Sequence, residues 1–174
     1  LNCIDDFFAN IRLTTFWSIL FIQEFGCQTE FEVLQTSNAH AYIFPGISGQ
    51  SRSNAIIVND LLAPYVAYHD YCSVGGIVAL KLGTILLVLL TAHVPHRSHL
   101  VLSLDQALED IDNMFNRVNT YASRVLHIDN QHVHLMFGAD FNCCRSDNHM
   151  NQRRTDIVRW LASWRLAHLS AMNP

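Results

Sequence analysis

The sequence predicts a mixed α/β chain of the α+β type, in which β-sheets stack as a sandwich and helices pack outside them. Three observations predict it. Several short apolar runs bounded by turn residues follow one another between residues 18 and 94, which is the pattern of adjacent strands. After Ser103 the apolar residues change to helical spacing, and strands interrupted by helices imply layers of sheet and helix around one core. With 174 residues, half of them apolar and 15% charged, residues 1–174 make one domain, long enough to bury a core and too apolar for disorder.

The elements follow in order. Residues 5–17 set Phe7/Phe8, Ile11 and Thr15/Phe16 at helical spacing, with Asp5 and Asp6 suited to a first turn and Leu13 off the stripe. Residues 18–23 read as a short buried strand that ends on Gln23-Glu24. A second strand is expected over 40–45, then a Gly- and Ser-rich loop over 46–54. Residues 55–58, 65–71, 76–82 and 84–94 read as successive strands, the last two joined by a tight hairpin around Gly83. Ser103-Leu-Asp-Gln106 is a capping box opening the clearest helix. Its stripe is Leu104, Ala107/Leu108, Ile111, Met114/Phe115, Val118 and Tyr121, and it runs to residue 124. A strand over 133–137 and a helix over 155–166 complete the set, with no repeat, linker or low-complexity tract.

Charge and cysteine content narrow the function classes. The formal net charge of −4 argues against a protein that coats nucleic acid. An enzyme that meets a phosphate backbone locally is still allowed, because a divalent cation brings positive charge of its own. Arg145, Arg153, Arg154, Arg159 and Arg165 crowd the last part of the chain; they suit bidentate phosphate contacts and a solvated helix face equally. Cys3, Cys27, Cys72, Cys143 and Cys144 are odd in number and lack motif spacing, so neither a disulfide framework nor a Cys-x-x-Cys zinc site is expected. A reducing, intracellular setting, nuclear or cytoplasmic, is the expectation. Residues 84–94 are too few to cross a bilayer, Lys81 interrupts any extension, and no secretory signal precedes them. The chain starts without Met, which suggests a piece of something longer.

Polar residues leave the ends of apolar strands at three places. Gln23-Glu24 follows Ile19–Ile22, His93 follows the run 85–90, and Gly138-Ala-Asp-Phe-Asn142 follows the strand over 133–137. Glu24 and Asp140 are hard oxygen donors of the kind that holds Mg²⁺ with waters and a substrate phosphate. Asn142, two residues after Asp140, projects to the same side in extended backbone. His93 can give a proton or a hydrogen bond to phosphate near neutral pH. Each also has an ordinary reading: a solvated Glu, an Asp/Asn turn bonded to its own backbone, a satisfied structural His.

Together, and in this order, Ile19-Leu-Phe-Ile-Gln-Glu24, Thr91-Ala-His-Val-Pro95 and Phe137-Gly-Ala-Asp-Phe-Asn142 resemble the endonuclease/exonuclease/phosphatase superfamily. That group includes DNase I-like nucleases, apurinic-site endonucleases and the nuclease domains of non-LTR (LINE-type) retrotransposons. The resemblance covers nearly the whole chain, and its flavour is the retroelement domain because of the tail Trp160-Leu-Ala-Ser-Trp-Arg-Leu-Ala-His-Leu169. It implies a DNase I-like sandwich of mixed sheets flanked by helices and hydrolysis of a phosphodiester, DNA foremost, with Mg²⁺ or Mn²⁺. It implies Glu24 as metal ligand, Asp140 as the residue that orients or deprotonates the attacking water, Asn142 as holder of water and phosphate, and His93 at the scissile phosphate or leaving group.

The chain departs from the family pattern in two places. The family's late Asp and its Ser-Asp-His element have no counterpart after Asn142. Ser146-Asp-Asn-His149 comes too soon and reads as loop. The family's N-terminal Asn is matched only by Asn2, close before Glu24 for a strand, loop and helix. These departures imply a domain incomplete at its C-terminus and first strand, weakly active or inactive alone. The competing readings are a phosphatase acting on small molecules, lipids or RNA, and a non-catalytic remnant or interaction module. A zinc site among His93, His96 and His99, or among His127, His132 and His134, lacks a signature such as His-Glu-x-x-His. Nothing in the sequence specifies an oligomeric state.

Overall fold

Eight strands and two helices follow one another in the computed structural model, which describes residues 18–24, 30–36, 38–46, 53–94, 103–141 and 148–164. The helix expected over 5–17 lies outside the described residues. Sheet A holds β1 (Ile19–Ile22), β2 (Glu32–Gln35), β3 (Ala39–Phe44) and β4 (Asn54–Asn59) in the order β1-β4-β3-β2, every pair antiparallel. Sheet B holds β5 (Val66–Cys72), β6 (Gly75–Leu82), β7 (Ile85–His93) and β8 (Val133–Asp140) in sequence order. Its first three strands are antiparallel, and β8 joins β7 in parallel across a connection containing helix α1 (Leu104–Arg124). Helix α2 (Asn148–Ser163) follows β8. The expected α+β architecture of stacked sheets and outer helices is what the chain adopts, with one sheet mixed and the other antiparallel.

Local chemistry explains the elements. β3 and β4 are buried at nearly every position, so they read as continuous apolar runs rather than alternating ones. Gly83 takes the left-handed conformation (φ 64°) that lets a two-residue turn join Leu82 to Ile85, a conformation costly for a side chain with Cβ. The Ser103 hydroxyl accepts the Gln106 N–H at 3.2 Å and starts α1. Ala107, Leu108, Ile111, Met114, Phe115, Val118 and Ala122 form its buried stripe. Tyr121, expected on that stripe, is half-buried and donates its hydroxyl to the Ala67 carbonyl at 3.0 Å.

Two packed layers position the strand ends. Tyr42, Phe44, Ile56 and Val58 of sheet A meet Val78, Leu80 and Leu89 of sheet B. The other face of sheet B packs on the helices through Ile77, Val88, Leu90, Ile111, Met114 and Ile157. Each such side chain contributes on the order of 1.5–3 kcal/mol when fully buried. Sheets A and B pack so that β1 of the first lies over β8 of the second: a Cβ on Gly138 would stand 2.5 Å from the Phe21 ring.

The structure departs from the sequence reading in three places. β2 was not expected; its four residues alternate half-buried and exposed, too short a run to signal against its polar ends Glu32 and Gln35. β8 extends three residues past the expected 133–137, so Asp140 is its last residue. α2 starts at Asn148 instead of 155 and takes in Asn148 and His149, expected as loop. Its polar first turns carry no apolar period, and Gln152 and Asp156, one turn apart, bond at 2.9 Å.

Candidate active site

The C-terminal ends of β1, β7 and β8 lie at one end of the sandwich, and each carries one of the residues singled out above. The parallel register sets His93 opposite Asp140. The Val94 N–H donates to the Asp140 carbonyl at 2.9 Å and holds that juxtaposition, while on the β6 side the His93 N–H donates to the Val74 carbonyl at 2.8 Å. From the other sheet, Gln23 reaches across the gap and donates its side-chain amide to the Gly138 carbonyl at 2.9 Å, with Thr91 Oγ1 3.4 Å away. This bond ties the end of β1 to both β7 and β8.

Glu24 follows directly. Its backbone turns into the left-handed region (φ 58°), a conformation that costs a non-glycine residue on the order of 1 kcal/mol and is tolerated where surroundings hold it. The turn brings Glu24 Oε1 to 3.5 Å from His93 Nε2, with the carboxylate side chain 40% exposed and the imidazole 15% exposed. The contact is an ion pair whenever the imidazole carries its second proton. Glu24 and His93 are thus in contact across the two sheets, and Asp140 is the neighbour of His93 in the strand register. Asn142 lies outside the described residues.

Beneath this cluster runs a polar seam. Thr91 is fully buried, and Asn54, 2% exposed, donates Nδ2 to the Val74 carbonyl at 3.2 Å, the same carbonyl that accepts from His93. In the sequence Gln23 stands only as the neighbour of Glu24, and Asn54 only as the edge of a loop. A polar residue next to an apolar run was the available signal for each. Their roles follow from cross-sheet contacts that sequence spacing does not encode.

The C-terminal arginines separate. Arg153 donates Nε to the Phe141 carbonyl at 3.2 Å and Nη2 to the Val94 carbonyl at 3.5 Å. Arg154 is exposed, and Arg159 pairs with Asp156 on its own helix at 3.3 Å; Arg145 and Arg165 lie outside the described residues. Of the histidines in the zinc reading, His127, His132 and His134 are exposed, and His96 and His99 lie outside the described residues. Among the described residues no three His, Cys, Asp or Glu side chains are grouped to hold a metal ion. The carboxylates of Glu24 and Asp140 are the donor chemistry that a hard cation takes when waters and substrate complete its shell.

Other titratable groups sit away from the crevice. Burial pushes the Cys72 thiol up to about 11; among the described residues Cys72 is a free cysteine. Burial, and then the neighbouring Asp70, raise Tyr68. No helix among the described residues is long and apolar enough to cross a membrane.

No protein-family model and no curated protein sequence matches the chain. Among solved structures, two of TDP2 from Caenorhabditis elegans are similar at 18% identity and a TM-score of 0.44, covering 80% of this chain and 40–41% of theirs. A truncated Caenorhabditis elegans TDP2 is similar at 19% identity and a TM-score of 0.43, covering 74% of this chain and 50% of its own. The chain thus spans half or less of the length of the solved structures it is similar to.

Proposed function

We propose that this chain is a metal-dependent phosphodiester hydrolase of the DNase I-like kind, with nucleic acid, DNA foremost, as substrate. One observation carries the reading: Glu24 Oε1 and His93 Nε2 stand 3.5 Å apart, and the strand register sets Asp140 beside that same His93. Each of the three motifs is ordinary alone, and their proximity is what supports the reading.

In this reading Glu24 would hold Mg²⁺ or Mn²⁺. When bound, such a cation neutralises phosphate charge and polarises the bond to be broken. Asp140 orients the attacking water and takes its proton, Asn142 holds water and phosphate, and His93 hydrogen-bonds a phosphate oxygen or protonates the leaving oxygen. The retroelement-type nuclease domain is the subgroup we favour. Its support is the resemblance carried by the tail sequence Trp160-Leu-Ala-Ser-Trp-Arg-Leu-Ala-His-Leu169. A nuclear or cytoplasmic setting goes with that substrate.

The test is nicking of supercoiled plasmid by the purified chain with Mg²⁺. The expected result is weak nicking at most, abolished by Asp140→Ala. Release of phosphate from small phosphoesters without nicking would move the substrate to the small-molecule class. No cleavage of either substrate, with no heat of Mg²⁺ binding by calorimetry, would overturn the reading in favour of a non-catalytic module.

A further inference from the structure

We propose that Arg153 is a positioning residue that sets the distance between the two strand ends carrying His93 and Asp140. The inference rests on the reading of Glu24, His93 and Asp140 as one site. Its guanidinium meets the Phe141 carbonyl through Nε at 3.2 Å and the Val94 carbonyl through Nη2 at 3.5 Å. Val94 and Phe141 are the residues immediately after His93 and Asp140, and both are buried. A single planar fork therefore grips β7 and β8 one residue beyond the groups that face the crevice.

The Val94 N–H to Asp140 carbonyl bond at 2.9 Å joins the two strands here, and Arg153 holds the carbonyl of that same Val94 and the carbonyl of Phe141, the residue after Asp140. Arginine suits the task because its donors are fixed in one plane, whereas a lysine ammonium is a single compact donor centre on a flexible stem. The helix that presents Arg153 is itself anchored. Asp112 on α1 accepts the indole N–H groups of Trp160 at 2.7 Å and Trp164 at 2.9 Å. The rigid layer of helices thus reaches the crevice through one side chain. In the sequence Arg153 and Arg154 are equivalent; in the fold Arg154 is exposed.

The experiment uses the full chain and a readout that needs no activity. In the parent, magnetic resonance with labelled histidine is expected to show a through-space contact between the His93 ring and the Glu24 side chain. Arg153→Gln and Arg153→Lys are expected to lose that contact and to shift the amide signals of Val94, Asp140 and Phe141. Arg154→Gln is expected to leave all of them unchanged. A parent-like spectrum for Arg153→Lys overturns the proposal, since one cationic donor would then suffice, and a parent-like Arg153→Gln overturns it as well. If Arg153→Gln fails to fold, by its circular dichroism melt, Arg153→Lys decides alone. In plasmid nicking, Arg153→Lys is expected to lower kcat by about ten-fold with KM unchanged, the mark of misplaced groups rather than lost binding. A parent that does not nick sinks the proposed function, while the spectra still decide the role of Arg153.

Discussion

Carboxylates in two regions of this molecule have different surroundings. In the layer between sheet B and the helices, each meets donors from the protein itself. Asp70 accepts from Arg117 Nε at 2.6 Å and from the Tyr68 hydroxyl at 3.2 Å, Asp110 accepts from the Ser73 hydroxyl, and Asp112 accepts from two indoles. At the strand ends, Glu24 is held in a left-handed turn, 40% exposed, against His93, and Asp140 is exposed at the end of β8. The first group spends its charge docking elements on one another. The second sits at strand ends, where Glu24 meets His93 at a backbone cost to Glu24.

That contrast breaks or holds by measurement. Asp140→Ala is expected to lower nicking by about 10²–10⁴, while urea unfolding moves by no more than about 0.5 kcal/mol because the residue is exposed. Asp112→Ala is expected to do the reverse, losing about 2–3 kcal/mol of stability by leaving two indole donors without their acceptor. Equal stability losses in the two variants would erase the distinction. Gly138→Ala tests the sheet contact under the crevice: its methyl would stand 2.5 Å from the Phe21 ring, at a cost of about 1–3 kcal/mol. Phe21→Leu in the same chain is expected to recover part of that loss.

Alkaline pH addresses the helix-side layer. The Cys72 thiol is raised from 9.0 to about 11, so the unfolded chain ionises first as pH rises. Its contribution to stability is complete below 9 and is lost between 9 and 11, by about 1.4 kcal/mol per pH unit. Cys72→Ala is expected to flatten that slope in urea titrations, and an unchanged slope would assign it to other groups. The smallest effect belongs to Arg117→Ala. Its side chain is 50% exposed, so removal is expected to cost only about 0.5–1 kcal/mol, less in high salt.

Much of this arrangement was legible in the sequence, for reasons that differ by element. The capping box at Ser103 and the stripe from Ala107 to Val118 state α1 outright, because burial of one helical face demands that period. Gly83 states its turn, because few other residues take its backbone angle. β2 and the first two turns of α2 were not legible. The strand is four residues at a sheet edge, and the helix opens on Asn148-His-Met-Asn-Gln-Arg153, where no apolar period marks it. At the strand ends, polarity pointed to Glu24, His93 and Asp140; in the fold Glu24 contacts His93, and Asp140 is the register partner of His93. Gln23, Asn54 and Arg153 matter through carbonyls of distant residues, and a carbonyl leaves no trace in residue identity.

Gln23 bonds to Gly138 from 115 positions away, and His93 reaches its place beside Asp140 only across the connection that contains α1. The crevice therefore has no local precursor: no short contiguous stretch of chain holds its groups in contact. Long-range parallel pairing closes later than the hairpins linking β5, β6 and β7, because the entropy of the larger loop must be met first. Recovery of the crevice after dilution from denaturant is thus expected to follow the slowest closure in the molecule. Any chemistry the site performs then serves as a clock for completed folding.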